Sequence, residues 1–249
     1  MDLAQYEQIT PNAQVPSLDN TPITFLLPNQ QCAWRVQTLY TKEADTIQWL
    51  RNMEPGKTLF DVGANMGQYA MLAAKKGLKV HAFEPEAQNF ALMVRNFAFN
   101  KLENCIAWPL ALSDHPSIEV LHLSGMNAGG SCHAFGASTD YHGQPKQFPF
   151  SQGSISTTMD HFAAKYGKPD YVKIDVDGFE HLVCKGGLHC LTYARSVLIE
   201  INTKYPEHMA LVNKMTNEYG FHYDEAQAIE SRRKEGPFEG IGNIIFYRD

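Results

Sequence analysis

Leu59-Phe60-Asp61-Val62-Gly63-Ala64-Asn65-Met66-Gly67 is an apolar run that carries one carboxylate and closes on two glycines. It predicts a strand over 59–62, a turn at the glycines and a helix over 68–76. Glycine leaves the backbone bare where strand becomes helix, so a ligand can approach it closely there. The next apolar run, Val80-His81-Ala82-Phe83, ends in Glu84-Pro85. An acid at that strand end can accept hydrogen bonds from two ribose hydroxyls, and it stands roughly where dinucleotide-type sites place their ribose acid. The alternative for the glycines is a tight strand-helix corner with no ligand.

Outward from this stretch the pattern alternates. Glu86–Asn100 reads as a helix, Ile106–Leu112 and Ile118–Leu123 as strands, Met159–Tyr166 as a helix, Tyr171–Val176 as a strand and Phe179–Lys185 as a helix. Val197–Ile201 reads as a strand and Glu207–Tyr219 as a helix, and Phe221–Tyr223 with Asn243–Tyr247 reads as a closing antiparallel hairpin. Strands alternating with helices predict an α/β fold, a doubly wound Rossmann-like sheet, mostly parallel with a closing antiparallel strand. Upstream, residues 1–20 are polar, without period, and read as a loose arm. Ile23–Leu27 and Trp34–Tyr40 read as short strands and Lys42–Met53 as a helix. The expected division is an arm with a small N-terminal cap over 1–57 and a core over 58–249. Ser124–Gly153 shows no pattern, and a loop of that length in a compact domain is expected to act as a lid or substrate wall.

With 249 residues and a net charge of −6, the chain has no dense run of Lys and Arg, so the basic footprint of a nucleic-acid binder is absent. Cysteines at 32, 105, 132, 184 and 190 fit neither a disulfide framework nor a paired metal motif, and predict reduced thiols. The first residues lack a basic, then apolar, leader pattern, and no apolar stretch has the length of a membrane span. A cytoplasmic protein with no membrane partner is expected. The histidines show no zinc-site spacing, and no metal is required, although Asp175 and Asp177 with a substrate diol are a possible Mg²⁺ site.

Three segments together resemble the FkbM-type methyltransferases, a branch of the class I S-adenosylmethionine-dependent enzymes. They are Asp61 to Gly67, Phe83-Glu84-Pro85 with Asn89 in the following helix, and Val172-Lys173-Ile174-Asp175-Val176-Asp177-Gly178-Phe179-Glu180. Ala111 to Asp114, the Gly186-Gly187 helix end and Val197 to Ile201 extend the likeness over roughly residues 22 to 202. Asp177 departs from the family, which more often has Glu there. The resemblance implies S-adenosylmethionine as cofactor, S-adenosylhomocysteine as product, and O-methylation of a small-molecule or glycan acceptor such as a sugar or polyketide. It also implies a cofactor-binding set of Asp61, Gly63, Ala64, Asn65, Gly67, Tyr69, Glu84, Pro85, Asn89, Ala111, Leu112, Ser113 and Asp175. In that set Gly63 and Gly67 admit the methionine end, Asp61 faces its ammonium, Glu84 holds the ribose, and Ala111 to Ser113 line the adenine.

Lys173, Asp175 and Asp177 alternate with apolar residues at what should be the end of a central, doubly covered strand. Buried charges are costly unless paired or used. One reading is an ion pair between Lys173 and an acid. The other makes Asp175 a general base or orienting acceptor for the acceptor hydroxyl, with Lys173 and Glu200 completing the catalytic candidates and Glu180 and His181 as lesser ones. A NAD(P)-dependent oxidoreductase would share the strand-glycine-acid geometry, but Gly63 to Gly67 lacks the GxGxxG spacing that seats a pyrophosphate. A nucleoside-binding module without chemistry is the non-enzymatic alternative. The chain also lacks the Pro-Pro-aromatic run of enzymes that methylate base nitrogens.

Overall fold

The computed structural model describes residues 11–248. Strands β1 (Asn12–Pro16) and β2 (Pro22–Leu26) form an antiparallel pair, followed by helices α1 (Gln30–Gln37) and α2 (Ala44–Asn52). Two expectations are corrected here. Part of the presumed loose arm is strand β1, held by pairing such as Val15 with Ile23; residues 1–10 of that arm lie outside the described residues. The presumed strand Trp34–Tyr40 is mostly helix α1: the Asn29 side chain accepts from Cys32 N at 2.9 Å and caps it, and Cys32 and Val36, one turn apart, are its buried face. The alternation of Trp34 and Val36 imitates a strand because the helix is only half covered.

The core continues through β3 (Thr58–Val62), α3 (Gln68–Lys75), β4 (Lys79–Phe83), α4 (Ala87–Phe99), β5 (Cys105–Trp108), β6 (Ala111–Leu112), β7 (Ser117–Leu123), β8 (Ala134–Phe135) and β9 (Phe150–Thr157). It ends with α5 (Met159–Tyr166), β10 (Tyr171–Ile174), α6 (Glu180–Lys185), α7 (Leu188–Leu191), β11 (Ser196–Asn202), α8 (Pro206–Asn217), β12 (His222–Tyr223), α9 (Glu225–Glu230) and β13 (Ile241–Tyr247).

The main sheet has the order β12-β13-β11-β10-β3-β4-β5, parallel from β11 to β5, with β13 antiparallel to both β11 and β12. This is the doubly wound sheet with an antiparallel closing strand. The chain winds outward from β3 to β5 and later returns to β10 on the other side, so winding reverses between β3 and β10. Ligand crevices in such sheets open at the carboxyl ends of the strands beside that reversal. Alternation along the strands feeds two cores. Leu59, Val80 and Ala82 pack with α3 and α4 on one face, and Phe60, Val62, Phe83, Val172 and Ile174 pack with α5 and α6 on the other. Ile23, Phe25, Ile47 and Leu50 of the N-terminal elements belong to the first of these cores.

The expected strand Ile106–Leu112 is divided. β5 ends at Trp108, before Pro109, which offers no N–H to a ladder. Ala111 and Leu112 join a separate sheet of order β6-β9-β7-β8. Ser124–Gly153 is therefore not all loop: it contains β8 and the start of β9, which pairs with β7 from Leu123↔Phe150 to Val120↔Gly153. Ser151, Gln152 and Gly153 conceal that strand because it is held by β7 more than by apolar burial. The charged segment before β13 contains α9, capped by Asp224, whose side chain accepts from Ala226 N at 2.8 Å. Among the described residues no helix is long and apolar enough to cross a membrane.

Candidate active site

The turn after β3 is built against the turn after β10. Asp175 N donates to Val62 O at 3.1 Å, and Gly63 N and Ala64 N both donate to Phe83 O at 3.0 Å. Gly63 has φ +81°, and a Cβ there would lie 1.8 Å from the Asp175 carbonyl oxygen, so only glycine fits. Gly67, with φ +85°, serves packing: its Cβ would meet the Phe97 ring at 2.7 Å. It does not border the cavity described below.

Glu84, at the end of β4, is buried. Its Oε2 accepts from Asn65 N at 2.8 Å and its Oε1 from Glu86 N at 2.9 Å. Burial pushes its carboxyl up to about 7 despite these two bonds. Each oxygen accepts one of these bonds and so retains further acceptor capacity, and Glu84 lines the cavity described below. Asn89 Oδ1 accepts from Gly129 N at 2.7 Å, and Asn65 Nδ2 donates to Gly130 O at 2.6 Å. The 129–130 segment is thus latched to both asparagines and roofs the turn.

Lys173 and Asp61 are in register on adjacent strands and are both buried. Lys173 Nζ lies 2.9 Å from Asp175 Oδ2 and 4.0 Å from Asp61 Oδ1. Burial opposes the lysine charge, but the Asp175, Asp61 and Glu43 carboxylates hold its pKa above the ordinary value. Burial likewise opposes ionisation of Asp175, and Lys173 overcomes it, keeping that carboxyl below its usual range. Asp61 differs: burial outweighs Lys173 and pushes it up to about 6, and neither of its oxygens has a hydrogen-bond partner. The ion pair and the candidate base are therefore the same residue, Asp175. Asp177, with φ +57°, accepts from Cys132 N at 2.7 Å, and burial followed by the Asp175 charge pushes it up to about 7. Glu200 lies 3.5 Å from Arg233 Nη2, yet burial and then Asp175 raise it well above the usual carboxylate range.

Glu84, Asp175, Asp177 and Glu200 meet at a cavity of about 580 Å³. Of the expected residues, Gly63, Asn65, Glu84, Pro85, Asn89, Ala111, Leu112, Asp175 and Glu200 line it. Asp61, Ala64, Gly67, Tyr69, Ser113 and Lys173 do not. Ala64, Tyr69 and Lys173 instead border a small adjoining space of about 40 Å³, where the Tyr69 hydroxyl donates to Glu43 Oε2 at 2.9 Å. Asp61 sits beneath the turn, and Ser113 is buried beside Asp114. Arg35 and Lys42 from the N-terminal elements, Cys132 and Tyr141 from the long stretch, and Arg233 also line the large cavity without a local sequence signal. Asp175, Glu180 and Glu200 each offer one carboxylate oxygen, all within 4.8 Å of one another, whereas Asp177 stands outside that group.

The donor set suits a nucleoside cofactor. Glu84 presents a carboxylate at the strand end, Leu110, Ala111, Leu112 and Phe135 give an apolar wall for a flat ring, and Arg35 and Asp175 offer opposite charges nearby. Among curated proteins, hexuronic acid methyltransferase AglP of Haloferax volcanii is 28% identical over 184 residues, covering 72% of this chain and 70% of AglP. Among solved structures, Trm5b of Pyrococcus abyssi superposes with a TM-score of 0.51 at 12% identity, over 95% of this chain and 55% of Trm5b, a likeness of fold. The family described as methyltransferase FkbM domain matches residues 61–223, a span that holds the β3 turn, Glu84 and the β10 turn, and the chain belongs to that family.

Proposed function

We propose that this methyltransferase uses S-adenosylmethionine to methylate a hydroxyl of a sugar or glycan acceptor, with hexuronates the first class to try. The observation that carries this is the convergence of Gly63, Glu84 and Asp175 on one cavity at the sheet's winding reversal. The relative AglP, a hexuronic acid methyltransferase, supports the acceptor class.

When bound, S-adenosylmethionine supplies an electrophilic methyl group. The chain's part is positioning, since in-line displacement needs donor and acceptor held at near-attack distance. In this reading the free acceptor sites of Glu84 hold the ribose hydroxyls, and Ala111 and Leu112 flank the base. Arg35 and Lys42 face the carboxylate of the methionine end. Asp175 orients the acceptor hydroxyl or takes its proton, and its pairing with Lys173 keeps it ionised at neutral pH. Arg233, whose neighbour Glu200 is pushed toward its neutral form, offers a cation to an acidic acceptor.

The test is transfer of label from S-adenosylmethionine to a panel of hexose and hexuronate glycosides, with and without chelator. Labelled sugar, unaffected by chelation, is expected. Transfer to no glycoside but to another metabolite of a cell extract would discard the acceptor class, and binding of NAD in place of the S-adenosyl compounds would discard the whole reading.

A further inference from the structure

Behind the Asp175 turn lies a buried carboxylate–imidazole pair, Glu180 and His208, that does not line the cavity. Glu180, the first residue of α6, is fully buried, and two backbone donors and an imidazole surround its carboxylate. Its Oε1 accepts from Val176 N at 2.7 Å, its Oε2 from Gly178 N at 3.0 Å, and His208 Nε2 lies 3.0 Å from the same Oε2. His208, in the first turn of α8, is equally buried, and its Nδ1 accepts from Asn202 N at 3.0 Å. A ring nitrogen that accepts a backbone N–H carries no proton, so the imidazole proton sits on Nε2, whose hydrogen-bond partner is Gly178 O at 3.3 Å, with Glu180 Oε2 alongside. Asn202 continues the chain outward: its Nδ2 donates to Tyr141 O at 2.9 Å and lies 2.8 Å from His142 Nδ1. Asp177, between the two amides that Glu180 holds, is in the left-handed region and grips Cys132 N.

We infer that Glu180 and His208 are positioning residues that act as one unit, setting the 176–178 turn and, through Asn202, the 141–142 segment over the cavity. The reason lies in donor counting. Only an acceptor-only group satisfies a backbone donor on each of its two oxygens, and an amide at 180 would turn its NH₂ toward one of them. His208 holds the same turn from the other side, with its Nε2 on Gly178 O and its Nδ1 fixed by Asn202 N. The fixed turn holds Val176 and Asp177 against the acceptor side of the cavity. Among the described residues, no hydrogen bond joins the pair to Glu84 or to the β3 turn on the cofactor side. The unit should therefore govern turnover and acceptor use, not cofactor affinity. This rests on the proposed role of the Asp175 turn in methyl transfer.

The experiment compares Glu180→Gln, His208→Phe and the double variant with the parent protein, using labelled S-adenosylmethionine and the glycoside that the parent methylates. Each single variant should lose about 10–100-fold in kcat, the scale expected when a reacting group is misplaced by about an ångström. The double variant should be no worse than the worse single one, as expected of a unit. The dissociation constant for S-adenosylhomocysteine should stay within about twofold in all three. Folded variants with parental kcat, or a loss spread equally onto cofactor affinity, would overturn the inference. Nitrogen NMR on the parent protein decides the matter if a variant fails to fold. His208 should be the Nε2–H tautomer, with the Val176 and Gly178 amides protected from exchange; an Nδ1–H tautomer or freely exchanging amides would overturn it. Failure of the proposed function would look different, as absence of methyl transfer by the parent itself.

Discussion

The turns after β3 and β10 lie side by side and are made in opposite ways. The β3 turn offers backbone. Gly63 is there because the Asp175 carbonyl occupies the place of a side chain, and the one carboxylate of its strand, Asp61, is sealed beneath. The β10 turn offers side chains: Asp175 paired with Lys173, and Asp177 held by Cys132, on a backbone tied to Glu180. Two aspartates that look alike in the sequence shift in opposite directions: burial raises Asp61 despite a lysine 4.0 Å away, whereas Lys173, bonded to Asp175 at 2.9 Å, overcomes burial and holds Asp175 below its usual pKa.

The largest effect should come at Asp175. Asp175→Asn is expected to lower turnover by about 10²–10⁴-fold while leaving affinity for S-adenosylhomocysteine unchanged. Its fold should hold, because Lys173 keeps Asp61 and an amide oxygen at 175. A loss of about 3–5 kcal/mol in urea unfolding, with turnover per folded molecule intact, would instead make the residue only the partner of Lys173. Next come the glycines. Gly63→Ala should destabilise by about 3 kcal/mol or more, since a fixed carbonyl blocks it at positive φ, and Gly67→Ala by about 1–3 kcal/mol, since side chains of Phe97 and Met93 can yield. Equal losses would erase the distinction between a turn glycine and a packing glycine.

The smallest effect is pH dependence of stability without ligand. Asp61, Glu84 and Asp177 have folded-state pKa values raised to about 6, 7 and 7. Between pH 4 and 7 the folded state therefore holds more protons than the unfolded one, and stability falls as pH rises. The relative stabilisation is complete below the ordinary carboxylate values and is gone above about pH 7. Asp175 contributes in the opposite sense, but only below its ordinary value. His81, His133 and His181, whose pKa values burial lowers, oppose this trend, so the test compares the parent with Asp177→Asn. The fall in melting temperature from pH 5 to pH 8 should shrink in the variant, and an unchanged pH dependence would contradict the assignment of Asp177 as buried and raised.

The parallel core is legible in the sequence because its strands are short apolar runs bounded by glycine and acid, and the winding reversal follows from their order. The cavity positions of Gly63, Glu84 and Asp175 are legible for the same reason, since strand ends of an α/β sheet converge. Side-chain orientation is not. Asp61 precedes the turn by two residues and faces the Lys173 side of the sheet, so its apolar cover appears only once α3 packs over it. Arg35, Tyr141 and Arg233 reach the cavity from segments far apart in the chain, without a shared local pattern. β9 is hidden by its polar composition, and α1 by an alternation that fits two periods.

The most direct test of the cofactor assignment is calorimetric titration of the protein and of Glu84→Ala with S-adenosylhomocysteine and, separately, NAD. The parent should bind S-adenosylhomocysteine and ignore NAD, and Glu84→Ala should bind about 10–100-fold more weakly, the equivalent of about 1.5–3 kcal/mol for hydrogen bonds to a charged acceptor. Binding of NAD with no response to S-adenosylhomocysteine, or undiminished affinity in Glu84→Ala, would contradict the account.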